Sequence, residues 1–169
     1  MAASIRAPFP ANSCARVAAS ASARIGIDLV DIGGIAQSLD AFGARFAHRI
    51  FSRVERDEAT RDGTFDAALL AQRFAAKEAV IKAFDLSESG IGWAEIEVAP
   101  AASGDARRRV RLHGRAADAA ARHGRYEIAV ALSHERDLAC AIVVALPGAP
   151  RQSRPRCRKT QQGIRGTHP

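Results

Sequence analysis

Glu78 and Lys82 stand four residues apart in the run Phe74-Ala-Ala-Lys-Glu-Ala-Val-Ile-Lys82, and Asp28 interrupts the otherwise apolar run Ile25-Gly-Ile-Asp-Leu-Val30. On a helix turning about 100° per residue, Glu78 lies about 40° from Phe74 on one side and about 40° from Lys82 on the other. It therefore sits at the margin of an apolar stripe, with Lys82 one turn further along the same edge. An ionised carboxylate placed there costs on the order of several kcal/mol unless it is paired or metal-bound. One reading is a helical salt bridge, because Glu before Lys at this spacing is the favourable order. Asp28 adds a second acid where a strand disfavours one, and a solvated strand-edge contact is its plain alternative. Two carboxylates and a lysine beside core elements also suit metal-assisted phosphate chemistry. Magnesium takes one or two carboxylates, keeps waters and completes its shell with phosphate oxygens. A neighbouring lysine then neutralises charge on a transferring phosphoryl group.

Periodicity and caps place the elements that must position these groups. Ile25, Ile27 and Leu29 alternate with Gly26, Asp28 and Val30, which predicts a strand with Asp28 on the face opposite the Ile/Leu set. A short helix is expected over Ile35–Leu39 and another over Phe42–Phe51, where Phe42, Phe46 and Ile50 recur every four residues. Ser52 followed by Glu55 fits a capping box and so starts a new helix. The strongest helix is Ala67–Phe84, with Leu70, Phe74, Ile81 and Phe84 as its apolar stripe. Trp93–Val98, Val110–His113, Tyr126–Leu132 and Leu138–Leu146 read as strands, and Ala116–Arg122 as a helix ended by Gly124. The stretch Ser133–Asp137 is expected to be a connection. This order predicts an α+β fold, with a mainly antiparallel sheet packed against the long helix.

The chain has 169 residues and a formal charge of +7, which favours one domain plus tails. Nine of its 25 basic residues lie in 1–24 and 147–169, where there are no acids. The segment between carries 16 basic and 18 acidic residues, a net charge of −2. The positive charge belongs to the ends, so a nucleic-acid partner is not expected. Residues 1–23 are expected to be an Ala/Ser-rich disordered lead, 24–146 the folded domain and 147–169 a disordered basic tail. Cys14, Cys140 and Cys157 show no C-x-x-C spacing, which points to inert thiols in a reducing, cytoplasmic setting. No apolar run approaches the roughly 20 residues of a membrane span.

Gly26-Ile-Asp-Leu-Val-Asp-Ile32 together with Arg73-Phe-Ala-Ala-Lys-Glu-Ala-Val-Ile-Lys-Ala-Phe84 resembles the paired signature of 4′-phosphopantetheinyl transferases. The 50-residue separation of Asp28 and Glu78 is similar to that of the short, holo-acyl-carrier-protein-synthase branch. Arg45–Ile50, Gly90–Val98 and Ala131–Ala141 follow in matching order, so the resemblance spans roughly Arg24 to Leu146.

The resemblance implies that fold, and transfer of 4′-phosphopantetheine from coenzyme A to a serine of an apo-acyl-carrier protein in fatty acid biosynthesis. Asp28 and Glu78 match the family's magnesium ligands. Lys82 matches its phosphate-contacting lysine, which assists the leaving group. The base is either Glu78 or a water that it polarises at the metal. Lys77 is a candidate phosphate contact or a solvated lysine. His134 is a candidate nucleotide contact on a loop, or a structural hydrogen-bonder. The branch is homotrimeric with sites at subunit boundaries, so a lone protomer should leave apolar surface uncovered.

Carrier proteins of this family's reaction are acidic. Gly33-Gly34 stands where the family carries basic residues, which leaves Arg45 and Arg49, with Arg53 beyond the helix break, as the expected docking patch. Asp85–Gly90 is longer than the family's turn, and Gly104–Arg107 lacks its usual proline. A nucleic-acid-binding basic protein, a catalytically silent scaffold and the longer two-half transferase branch are the competing readings. The net −2 core, the presence of Asp28, Glu78 and Lys82, and the single signature set weigh against each in turn.

Overall fold

The computed structural model describes residues 22–100 and 108–148. The expected lead and tail, Cys14, Cys157 and the segment Gly104–Arg107 lie outside these residues, apart from the few positions where the ends meet the domain. Strand β1 (Arg24–Asp31) runs directly into helix α1 (Ile32–Phe42), whose first turn is capped by Asp31 Oδ1 accepting from the Gly34 amide at 2.8 Å. Gly43, at φ +53°, then breaks the chain before α2 (Ala44–Ile50). That left-handed conformation suits a residue without a Cβ, so the expected helix over Phe42–Phe51 begins two residues later. The Ser52/Glu55 capping box is present in full and opens α3 (Arg53–Ala59).

A two-stranded ribbon, β2 (Thr60–Arg61) and β3 (Thr64–Phe65), leads into α4 (Ala67–Phe84). Asp66 caps α4 through the Leu69 amide at 3.0 Å, and Asp85, in the left-handed region at φ 54°, ends it. The expected strand at Trp93 starts instead as a single 3-10 turn, Trp93–Glu95, before β4 (Ile96–Ala99). Strand β5 (Arg109–Leu112), helix α5 (Gly114–Ala121), and strands β6 (Tyr126–Glu135) and β7 (Leu138–Pro147) complete the order. Ser133–Glu135, expected in a connection, extend β6, and Arg136-Asp137 alone turn the hairpin.

Among the described residues one five-stranded sheet has the order β1-β7-β6-β5-β4, every pair antiparallel. Helix α4 lies on one face of it. One core joins Ala76, Ala79, Val80 and Phe84 of α4 to Val98, Ala141 and Val143 of the sheet. A second joins Leu70 and Ala71 to Ile35 of α1, Ala47 and Ile50 of α2, Phe51 just after it and Ala59 of α3. Because α4 is enclosed from both sides, its most buried positions are largely alanines, and Phe74 and Ile81 of the expected stripe are only half-buried. Small side chains let backbones approach closely. A Cβ on Gly26 would sit 1.8 Å from the Ala79 carbonyl oxygen, so β1 accepts only glycine where α4 crosses it.

The inward face of β1 is thus the one bearing Gly26, Asp28 and Val30. Ile25, Ile27 and Leu29 point the other way and are 68%, 55% and 63% exposed. Their partners across the ladder, Val144, Ile142 and Cys140, share that outer face, and Leu138 and Leu146 extend it. The described protomer therefore carries an uncovered apolar sheet face larger than scattered surface hydrophobics would make.

Candidate active site

Asp28, Glu78 and Lys82 meet where β1 passes under the C-terminal half of α4. Alternation along β1 turns Asp28 toward the helix, and the helical repeat brings Lys82 over it. Lys82 Nζ donates to Asp28 Oδ1 at 2.6 Å and to the Ile27 carbonyl at 3.3 Å. Its first bond thus crosses to the sheet instead of running along its own helix to Glu78, the simple salt-bridge alternative. The charges are mutually felt. Burial, then the negative charge of Asp28, hold the Glu78 carboxyl above the ordinary carboxylate range, with Lys82 opposing. The hydrogen bond to Asp28 and its charge raise the Lys82 ammonium, and Glu78 adds to the effect. A carboxylate of raised pKa thus sits near an ammonium whose pKa is also raised.

Glu78 also lines a cleft of about 290 Å³. Ile81, Leu86, Ser87, Gly90, Ile91 and Trp93 form its other walls, so the loop Asp85–Gly90 shapes one side of it. The Trp93 ring stacks on Phe74, with centroids 4.9 Å apart and planes inclined by 23°. Reasoning from sequence missed this wall. Its available signal was the sole tryptophan of the chain, which stands where a strand was expected.

Lys77 is placed elsewhere, and the reading of it as a phosphate contact or solvated lysine is corrected. One residue before Glu78 means about 100° around the helix, which turns Lys77 into the core. Its side chain and that of Glu55 are both 0% exposed and paired at 2.9 Å. Burial pushes the Lys77 ammonium below its ordinary range, against the pull of Glu55.

His134 is likewise not on a loop. It lies on β6 opposite the buried Ala139, and Gln72 Nε2 donates to its Nδ1 at 2.7 Å. Ten residues along α4 separate Gln72 from Lys82, about 15 Å, so one protomer does not gather His134 with the three charged groups. Arg45 and Arg49 are exposed on α2, beside exposed His48 and Arg53. Among the described residues no group of three or more His, Cys, Asp or Glu side chains forms a metal cage. The donor set is two carboxylates, which fits an ion that keeps waters and binds substrate phosphate, and does not fit a closed structural site.

Known proteins resemble this chain in both sequence and fold. The family model described as the 4′-phosphopantetheinyl transferase superfamily matches residues 24–143. A protein named holo-[acyl-carrier-protein] synthase from Gloeobacter violaceus is 39% identical over 120 residues, covering 71% of this chain and 89% of that protein. One of the same name from Paramagnetospirillum magneticum is 42% identical over 125 residues, covering 71% and 92%. Among solved structures, one described as a Chronobacterium ammoniagenes ACPS-CoA complex superposes with a TM-score of 0.63 at 33% identity, covering 76% of this chain and 99% of the other. No described helix is long and apolar enough to cross a membrane. With a family model matched across residues 24–143, and with the fold and nearly the whole length of such relatives in common, the chain belongs to the 4′-phosphopantetheinyl transferase superfamily, in its short holo-[acyl-carrier-protein]-synthase branch.

Proposed function

We propose that this chain is a magnesium-dependent holo-[acyl-carrier-protein] synthase whose metal is held by Asp28 and Glu78. The reaction moves 4′-phosphopantetheine from coenzyme A to a serine hydroxyl of an apo-acyl-carrier protein. The serine oxygen forms a bond to the β-phosphorus, the pyrophosphate bridge breaks, and adenosine 3′,5′-bisphosphate leaves. The observation that carries the reading is the meeting of Asp28, Glu78 and Lys82, with Glu78 also lining a cleft.

Each side chain has a task that its setting suits. Two mutually repelling carboxylates, one of them partly desolvated, favour a divalent cation between them. Bound there, magnesium offsets the negative charge of the pyrophosphate. Glu78, with its raised pKa, takes the serine proton directly or through a water. The Lys82 side chain is 53% exposed, free to leave Asp28 for a phosphate oxygen and to stabilise the departing charge. The cleft from Glu78 to Trp93 takes part of the coenzyme.

The uncovered face of Ile25, Ile27, Leu29 and Ile142 supports a homotrimer with sites at subunit boundaries. That assembly also accommodates His134 as a nucleotide contact, because a second protomer can bring it to a site that its own Lys82 does not reach. Arg45 and Arg49 are the docking patch for an acidic carrier. The setting is cytoplasmic and the pathway fatty acid biosynthesis. The test is incubation with apo-carrier, coenzyme A and magnesium, read by intact mass. One added phosphopantetheine, lost on adding chelator and in Asp28→Asn, is the expected result. Transfer that survives chelator would overturn the metal assignment.

A further inference from the structure

Lys77 and Glu55 form an ion pair that the chemistry above does not use, although Lys77 is the residue next to Glu78. The three protons of the ammonium have three acceptors: Glu55 Oε2 at 2.9 Å, the Trp93 carbonyl at 3.1 Å and the Ile96 carbonyl. Glu55 is equally committed. Its Oε1 accepts from the Val98 amide at 2.8 Å and its Oε2 from the Ser52 amide at 2.7 Å. Both side chains are fully buried, and the Phe51 ring lies 5.9 Å from the ammonium. The pair therefore ties α3, α4 and both ends of the 3-10 turn to one point. A buried ion pair adds little stability over apolar residues of equal volume. What it does fix is the position of the groups bonded to it.

We propose that Lys77, held by Glu55, is a positioning residue that sets the Trp93 wall of the cleft relative to Glu78, and so tunes how tightly the coenzyme is gripped. The geometry is direct. Lys77 anchors the Trp93 backbone, the Trp93 ring stacks on Phe74, and Phe74 lies one helical turn before Glu78. The proposal rests on the reading that this cleft takes coenzyme A.

Trp93 is the only tryptophan in the chain, so its fluorescence reports the wall without any substrate. The variants are Lys77→Met and the double variant E55Q/K77M, which removes both charges and strands neither. Glu55→Gln alone, which retains the lysine, is the third. Far-UV circular dichroism checks that each is folded. In E55Q/K77M the expected result is an acrylamide quenching constant for Trp93 raised about twofold. The KM for coenzyme A should rise about tenfold, with the carrier KM within about twofold of wild type. Glu55→Gln should move the same quantities in the same direction by less. Folded variants with wild-type quenching and wild-type coenzyme KM would overturn the proposal. So would a fall in kcat alone, which is what a merely smaller folded fraction produces. If the wild type transfers nothing from coenzyme A, the functional reading fails, while the quenching comparison still decides whether Lys77 holds the wall.

Discussion

Replacing Gly26 by alanine perturbs the contact on which the distance between β1 and α4 rests. The added Cβ would meet the Ala79 carbonyl oxygen at 1.8 Å, the Ala79 carbonyl carbon at 2.8 Å and the Ala83 amide nitrogen at 3.0 Å. All three are backbone atoms of α4, so no side chain can swing aside. Ordinary contact begins near 3.4 Å, and the strand and helix must separate by about 1.6 Å to reach it. Overpacking of this kind costs about 3 kcal/mol, at the upper end of the usual range because backbone must move. For a domain of this size that lowers Tm by roughly 10 °C. The same separation stretches the 2.6 Å bond from Lys82 to Asp28 to about 4 Å, beyond hydrogen-bond reach. A misplacement of about 1 Å at reacting groups costs up to about 10²-fold in rate. Thermal unfolding followed by circular dichroism, and carrier modification followed by intact mass below the lowered Tm, read the two effects separately. Gly34→Ala is the control. Its Cβ finds only Asp31 Oδ1, at 3.9 Å, and alanine favours a helix by about 0.5–1 kcal/mol over glycine, so it should be neutral or slightly stabilising. A Gly26→Ala protein with the wild-type Tm and turnover would refute the close-approach reasoning.

The charge-reversed double variant R45E/R49E should raise the carrier KM by about tenfold or more at low salt while leaving the coenzyme KM unchanged; an unchanged carrier KM would remove these residues from the docking patch. Glu58 tests the pH dependence of the fold. Burial raises its pKa, but the hydrogen bonds and charges of Arg108 and Arg73 outweigh this and leave it below the ordinary carboxylate value. Its stabilisation is therefore complete above the unfolded value near 4.5 and is lost as pH falls through the lower folded value. Glu58→Gln should lower Tm at pH 7, and the gap from wild type should close below about pH 4; a gap that widens with acid would contradict the sign. If the proposed homotrimer forms through the uncovered sheet face, carboxylates placed there by I27E/I142E should dissociate it, since each buried charge costs on the order of several kcal/mol. Sedimentation velocity showing an unchanged assembly would exclude that face as the interface.

Local chemistry in the sequence was enough for the elements that depend on it. The bounds of α4, Ala67–Phe84, follow from an apolar repeat bracketed by Asp66 and Asp85, and the Ser52/Glu55 box forms as expected because both partners lie within one turn. The signature segments were legible for the same reason, being contiguous runs on single elements. Where the chain carries a special backbone need, the sequence is less explicit. Gly43 delays to Ala44 a helix that the Phe42, Phe46, Ile50 repeat starts at Phe42, and Trp93–Glu95 tightens into a 3-10 turn where alternation predicted a strand. Gly26 was the overlooked clue in β1, since a glycine inside a strand marks close backbone approach.

What tertiary structure alone decided is which side of each element is inside. Alternation along β1 separates Ile25, Ile27 and Leu29 from Gly26, Asp28 and Val30, yet it carries no sign, and both sets are apolar enough to be buried. Packing chose the small set for α4, because only a glycine and short side chains permit that approach, and so turned Asp28 inward and left the large residues uncovered. The two lysines of one helix had opposite fates for a similar reason. The repeat fixes the angle between Lys77 and Lys82, but only the placement of α3 and of the Trp93 turn, 16 or more residues away in sequence, made one a buried anchor and the other a partner for Asp28.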